Sequence, residues 1–491
     1  MAARDISSGE ILSHDTPAAM GPDNNPKPVC LTCYKRLPSL VYHCRHCSWP
    51  RCSPHCQQED GPHARECSLF RIHNPRMVIE DYKATCPSYN AVMVLRILWL
   101  RDNKPETWRL IDLLMDHLED DKELTKTKKG VVDFIREHCR LTQFSEKEIL
   151  RVMGVIDTNA YIIGENATKD VDLQGLFPIT SILNHSCTAN TICFARDDFT
   201  FSCRAVTAIK KGEELTTNYL HYHYHFFGLS YRRPELFAFW HFLCGCRRCR
   251  DATEFGTMSD SLVCRDCTEG RLTPLNSEEG AKWVCGSCYS SVTHLQAVNI
   301  INTWWNNLEA APKYDVRGLL LLLEKMLEVF DSNHYYCMEI KRRVIENIGE
   351  TKGFEYEDLA ASWLEKKVLF CREHLALQQV VAPGLSEYRA YMSSHLVEPL
   401  YLLAKKKYVA GETSLAALQE TMEEVAGHLL IIIEIWGPYR RRSSERLKAE
   451  EARVLLETVD SKYLHRQLGG RADAVLESAQ LATFSEPALR L

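Results

Sequence analysis

The chain has 491 residues, of which 45% are hydrophobic and 25% charged, and its formal net charge is −6 at pH 7. That length exceeds one ordinary domain and predicts roughly two to four, while the acidic balance gives no overall reason to bind DNA. The longest apolar run, His428 to Trp436, falls well short of the ~20 residues that span a bilayer, so no membrane partner is expected. The opening stretch MAARDISSGE lacks the apolar core of a signal peptide, which predicts a reducing compartment, the cytoplasm and nucleus.

In chain order, residues 1–12 read as the end of a strand with a turn, Ser7-Ser8-Gly9 before Glu10-Ile11-Leu12. Residues 13–29 read as a connector rich in Pro, Gly and Asn, and residues 30–67 are dense in cysteine. From 88 to 153 the pattern is helical: Val92, Leu95, Leu98 and Trp99 recur at helical spacing, as do Leu110, Leu113, Leu114 and Leu118. Short β-like segments follow between 170 and 220, including Thr191-Ile192-Cys193-Phe194 and Thr200-Phe201-Ser202-Cys203. A turn at Gly212-Glu213-Glu214 precedes a short strand ending at Tyr219, and the alternation His221-Tyr222-His223-Tyr224-His225 predicts a half-buried strand or loop edge in preference to a metal site. Residues 244–288 are again rich in cysteine. From about 295 to 465 the chain reads as antiparallel helices of solenoid type, broken at Pro383-Gly384 and Gly437-Pro438. The polar, Ala-rich tail after 466 is expected to be loosely held. The basic groups Lys35-Arg36 and Arg440-Arg441-Arg442 read as solvated charge.

Cysteine spacing is the strongest signal. Of 21 cysteines, 14 fall into closely spaced groups. In a reducing compartment such groups predict zinc, because thiolates two residues apart both reach one ion at ~2.3 Å. The first group is Cys30, Cys33, Cys44, Cys47, Cys52, Cys56, His63 and Cys67, eight ligands for two tetrahedral ions. A finger this short cannot bury enough core to fold by itself, so zinc must supply folding free energy, on the order of 10 kcal/mol per site. The second group, Cys244, Cys246 and Cys249, is one ligand short of a tetrahedral site and needs a fourth from elsewhere. The third, Cys264 and Cys267 with Cys285 and Cys288, has zinc-ribbon spacing; four thiolates leave no open position, so a structural role is expected. Cys86, Cys139, Cys193, Cys203, Cys337 and Cys371 are scattered and read as small buried hydrophobes.

Asn184-His185-Ser186-Cys187-x2-Asn190, then Gly212-Glu213-Glu214-Leu215-Thr216-Thr217-Asn218-Tyr219-Leu220, then Arg232-Arg233 and the Cys244 group together resemble the SET domain. Singly, Tyr219 suits any strand and Asn184 and His185 suit any turn. In this order, with the zinc group behind them, they point to SET. The Ala2 to Glu10 stretch matches the end of the first SET segment, and the spacing of residues 30–67 resembles the MYND finger. The chain thus resembles the SET-and-MYND (SMYD) family, in particular arthropod members with Asn-Tyr-Leu followed by a Tyr-His-Tyr-rich stretch.

The resemblance implies an α+β, multidomain fold. A first SET segment and connector would occupy 1–29, the MYND zinc finger 30–67, a helical SET insertion 68–169 and the SET core 170–243. A post-SET and zinc-ribbon-like region would follow at 244–290, an all-α helical-repeat (TPR-like) domain at 291–465 and a tail at 466–491. It implies cross-braced zinc ligation in the finger, with Cys30, Cys33, Cys52 and Cys56 at one ion and Cys44, Cys47, His63 and Cys67 at the other. Cys187 would complete the post-SET site. The family transfers a methyl group from S-adenosylmethionine to a protein lysine, so Asn159, Asn184, His185 and Phe242 would contact the cofactor, and Tyr219 would stand at the methyl group as the catalytic residue. Expected partners are a histone tail or another lysine-bearing protein, and a proline-rich or other peptide at the finger; a monomer is expected.

The family opens its first segment with a Gly-x-Gly turn, which this sequence, starting at Met1-Ala2, does not contain; a late start, a short isoform and impaired cofactor binding stay open as readings. Trp240 stands where the family has a second tyrosine, and an indole offers one N–H and no hydroxyl. Two functions follow as expectations: a lysine methyltransferase, and a zinc-dependent scaffold or transcriptional regulator acting through the finger and the helical domain.

Overall fold

A turn at Gly9 launches the first strand. The φ of this glycine is +83°, which a side chain would strain, and its N–H bonds Ala205 O at 2.9 Å. Strand Ile11–Asp15 then pairs antiparallel with Phe201–Ala205, which also pairs antiparallel with Thr191–Ala195. The computed structural model describes residues 1–464, except 24–26, 38–40, 58–60, 74, 76, 78, 120–124, 166–171, 268, 277, 279 and 442. The tail expected after 466 lies outside the described residues.

Part of the expected connector is sheet. Ala19–Pro22 pairs with Asp172–Leu176, whose other edge carries Ala160–Glu165. Its sequence, Ala-Met-Gly-Pro, lacks the β-branched residues that announce a strand, and its pairing comes from a partner some 150 positions away. Helix Glu146–Asn159 leads directly into Ala160–Glu165, the first strand of its pair with Asp172–Leu176. Buried Asp15 accepts the N–H groups of Ile179 and Thr180, both at 2.9 Å, and so fixes the one-turn helix Thr180–Ile182 just before Asn184.

The inserted helices are Asn90–Asn103, Pro105–Asp112, Lys126–Asp133 and Glu146–Asn159. The apolar spacing Leu110 to Leu118 suggests a longer second helix, but the helix stops at Asp112 and Leu113 is exposed. Arg151 takes the terminal Asp112 carbonyl at 2.8 Å and the Asp116 carboxylate at 3.0 Å, which satisfies the helix end and turns the chain away. The last of these helices starts with a capping box: Ser145 Oγ accepts the Glu148 N–H at 3.2 Å, and Glu148 accepts the Ser145 N–H at 2.9 Å.

The helix Ala64–His73 carries Cys67 and runs past the expected end of the finger. It places Phe70 on Trp49, stacked at 4.9 Å, with Tyr89 edge-on to Trp49 at 5.2 Å, so the finger shares its core with the inserted helices. Beyond the Cys244 group, a four-stranded antiparallel meander runs from Leu262–Val263 to Ser291–Val292.

The helical domain comprises His294–Ala310, Val316–Leu327, Tyr335–Asn347, Ala361–Val381, Glu387–Val409, Leu415–Trp436 and Ser444–Val459, successive helices packing on one another from Val316–Leu327 onward. It rests on the sheet formed by Ile11–Asp15, Phe201–Ala205 and Thr191–Ala195 through backbone. Gly384 has φ +83°, and a Cβ there would stand 2.0 Å from Val206 O, so backbone meets backbone at this turn. Leu385 N–H reaches Val206 O at 3.0 Å, and buried Arg204 donates to Glu434 O at 2.8 Å. No helix among the described residues is long and apolar enough to cross a membrane.

Candidate active site and metal centres

Among the described residues, four groups could each hold a metal ion: Cys30, Cys33, Cys52 and Cys56; Cys44, Cys47, His63 and Cys67; Cys187, Cys244, Cys246 and Cys249; and Cys264, Cys267, Cys285 and Cys288. Within each, the candidate ligand atoms lie within 4.8 Å of one another. Tetrahedral zinc with metal–sulfur bonds of ~2.3 Å requires sulfurs about 3.8 Å apart. The Sγ pairs meet this: Cys52–Cys56 at 3.5 Å, Cys44–Cys67 at 3.8 Å, Cys187–Cys244 at 3.9 Å and Cys267–Cys285 at 3.7 Å. The donor sets are all-thiolate or three thiolates with one imidazole, which suits zinc and leaves no open coordination position.

Two of the groups are braced by buried arginines. Arg96 binds Glu66 through two hydrogen bonds of 2.7 and 2.6 Å, and Glu66 accepts from His63 Nδ1 at 2.9 Å. At the Cys187 group, Arg232 Nε stands 3.3 Å from Cys187 Sγ and its Nη2 stands 3.4 Å from Cys249 Sγ. Glu254 then binds both Arg232 and Arg248 at 2.6 Å. Donors aimed at sulfur stabilise thiolate charge and fix the ligand rotamers.

Next to the Cys187 group lies a cavity of 1310 Å³. Its floor is made where Asn184–His185 pairs in parallel with Thr216–Thr217. Asn190 ties the same two segments, accepting Thr216 N–H at 2.9 Å and donating to Glu214 O at 2.8 Å. His185 Nδ1 accepts the Tyr219 N–H at 3.0 Å, which leaves Nε2 to carry the ring proton and donate it toward Cys187 Sγ at 3.3 Å. A metal-ligand candidate is thus linked through one imidazole to the backbone of Tyr219. The Tyr219 hydroxyl donates to Leu183 O at 2.7 Å, and burial pushes its phenol above the usual tyrosine range. Phe242 and Trp240 pack around Tyr219, with ring centroids at 6.3 and 5.3 Å. Trp240 Nε1 donates to Thr158 O at 3.1 Å, so the indole is held by the C-terminal end of the helix that carries Asn159.

The cavity thus brings together Asn159, Asn184, His185, Tyr219 and Phe242. Besides His185 and Tyr219, Asn159 and Asn184 are also tied to protein groups there. The Asn159 amide donates to Met115 O at 2.8 Å and Val155 O at 2.9 Å, and exposed Asn184 donates to Glu214 at 2.7 Å. The run His221 to His225 is not a strand: Tyr222–Tyr224 is a single 3-10 turn, and His223 faces the Tyr391 ring at 4.7 Å. Alternation there reflects packing of a turn against the helical domain. Sequence reasoning also missed Met115, His117, Ala382, Pro383, Ser386 and Glu387, all of which line the cavity. They come from a loop and from a different domain, and no local pattern marks them.

The SET domain family matches residues 1–220. The chain is 26% identical over 399 residues to the SET domain-containing protein SmydA-8, isoform A, of Drosophila melanogaster, covering 78% of this chain and 82% of that protein. It is 26% identical over 402 residues to the N-lysine methyltransferase SMYD2-B of Danio rerio, covering 79% and 81%. With the histone-lysine N-methyltransferase ASHR1 of Arabidopsis thaliana the identity is 22% over 474 residues, covering 92% of each chain.

Proposed function

The chain carries a SET domain and is homologous to the SMYD methyltransferases, and on that premise we propose that it is an S-adenosylmethionine-dependent protein-lysine N-methyltransferase acting on histone or non-histone proteins. The observation that carries the reading is the junction of Asn184–His185 with Thr216–Thr217, which sets Tyr219 into the wall of the 1310 Å³ cavity. We also read the four ligand groups as four structural zinc sites.

S-adenosylmethionine would supply an electrophilic methyl group, and the protein's task would be to align a neutral lysine amine with it. A phenol that donates to Leu183 O keeps its oxygen lone pairs free to accept from the reacting groups. The aromatic surround of Tyr219, Trp240 and Phe242 is apolar and would disfavour the charged ammonium form of a lysine entering it. Positioning and preorganised acceptors are what such a transfer needs. Asn159, Asn184, His185 and Phe242 are the residues read as holding the cofactor, with Tyr219 as the catalytic residue.

The test is calorimetric titration of the zinc-loaded protein with S-adenosylmethionine, followed by methyl transfer to lysine peptides. Binding is expected, with transfer lost in Tyr219→Phe. Absence of binding by protein with intact fold and zinc content would overturn the reading.

A further inference from the structure

Cys193 and Cys203 belong to none of the four ligand groups found among the described residues. They face each other across the antiparallel pair Thr191–Ala195 and Phe201–Ala205, as direct register partners. The ladder hydrogen bonds fix the type of pair. Arg196 N–H bonds Thr200 O at 2.9 Å, and Val206 N–H bonds Asn190 O at 2.9 Å. Hydrogen-bonded pairs alternate along an antiparallel ladder, so 194/202 and 192/204 are bonded and 193/203 is not. Side chains at a non-hydrogen-bonded pair are the closer kind, with Cα atoms about 4.5 Å apart, inside the range a disulfide spans.

Access differs between the two sulfurs. Cys193 is half-buried and lines the cavity, while Cys203 is 2% exposed. One thiol therefore meets small solutes, and the other waits behind it on the same face of the sheet.

We propose that Cys193 and Cys203 are a redox pair that closes to a cross-strand disulfide when a hydroperoxide enters the cavity. Cys203 takes the Cys193 proton across the pair, and the Cys193 sulfur attacks the peroxide O–O bond, giving a sulfenic acid and, with one proton from solvent, the alcohol or water. The Cys203 sulfur then attacks the sulfenic sulfur, its proton leaves with the hydroxyl as water, and the S–S bond forms. Two thiols lose two electrons, and one peroxide gains them. A thiol reverses the step by exchange. The bridged strand is tied to the segment leading to Tyr219, because Thr191 Oγ1 donates to Thr216 O at 2.9 Å. The pairing itself does not depend on the methyl-transfer reading.

Trypsin separates the two cysteines, because it cuts after Lys169, Arg196 and Arg204 to give fragments 170–196 and 197–204. The zinc-loaded protein is treated with hydrogen peroxide at near-stoichiometric dose, alkylated and digested without reductant, and zinc is measured in parallel. The expected result is a joined fragment whose link maps to Cys193 and not to Cys187, with zinc retained, and with separation on adding dithiothreitol. Cys203→Ser is expected to give no joined fragment; should that variant misfold, differential alkylation of the unmodified protein reads the same loss of the two thiols. Recovery of both fragments singly, a link through Cys187, or zinc loss before any link overturns the proposal.

Discussion

Arg96 and Glu66 form a bidentate pair at 2.6 and 2.7 Å, with neither side chain more than 2% exposed. Glu66 sits in the finger's helix beside Cys67, and Arg96 in the inserted helix Asn90–Asn103. The same guanidinium donates to Met20 O at 2.6 Å, Tyr34 Oη at 2.6 Å and Leu31 O at 3.0 Å. All its N–H groups are thus used. The finger is therefore bound into the SET domain through a charge with no water to fall back on.

Removing one partner of this pair should be severe. Arg96→Ala strands the Glu66 carboxylate and is expected to destabilise by about 3–5 kcal/mol, whereas replacing both by apolar residues of similar volume should recover much of that. Urea denaturation of the single and double variants reads the difference.

His185 transmits order from the Cys187 group to Tyr219. His185→Phe keeps a ring but leaves the Tyr219 N–H without its acceptor, which should cost roughly 1–3 kcal/mol. Zinc content by elemental analysis should be unchanged, while affinity for S-adenosylmethionine falls.

Metal removal should unfold the finger first. Its core pair Trp49 and Phe70 is stacked at 4.9 Å between the two ligand groups and the inserted helices. Chelation is expected to change tryptophan fluorescence together with loss of zinc, since ligand and fold are coupled. Cys264→Ser should lower the metal content by one ion per chain and leave the finger's signal in place.

Burial pushes the Glu387 carboxyl up to about 7, against the hydrogen bond from Tyr439 Oη at 2.7 Å, which lowers it. The folded state therefore holds this proton more tightly than the unfolded chain. The associated stability is complete below the unfolded carboxyl value near 4.5 and is lost as pH rises through about 7. Glu387→Gln cannot ionise, so its stability relative to the unsubstituted protein should improve between about pH 5 and about pH 8, by at most ~3 kcal/mol. Denaturation of both proteins at the two pH values checks the sign, and the paired comparison cancels titration of the metal ligands.

Trp240→Phe removes the donor to Thr158 O while keeping an aromatic wall beside Tyr219. A loss of about 1 kcal/mol in thermal or chemical stability is expected, from one hydrogen bond and a smaller ring.

Much of this molecule was legible along the chain, because the informative interactions there are local. Two-residue cysteine gaps, the 3.6-residue apolar period of the C-terminal helices and the Asn184 to Cys187 motif each act over a few residues, and these carried the family resemblance. Spacing alone could not join Cys187 to Cys244, or strand Ala19–Pro22 to Asp172–Leu176, because those partners meet only when the chain has folded back on itself. The end of helix Pro105–Asp112 was likewise decided by a distant side chain, Arg151, and not by its own leucines. So was the turn at His221 to His225, whose alternating rings pack on another domain. The sequence by itself determined which residues could bind metal and which motif belongs to a SET site. Only the tertiary structure decided that Arg96 locks the finger to the inserted helix Asn90–Asn103, that His185 links a ligand group to Tyr219, and that Cys193 faces Cys203. Each of those depends on burial and on strand register, which are properties of the packed chain and not of any short stretch of it.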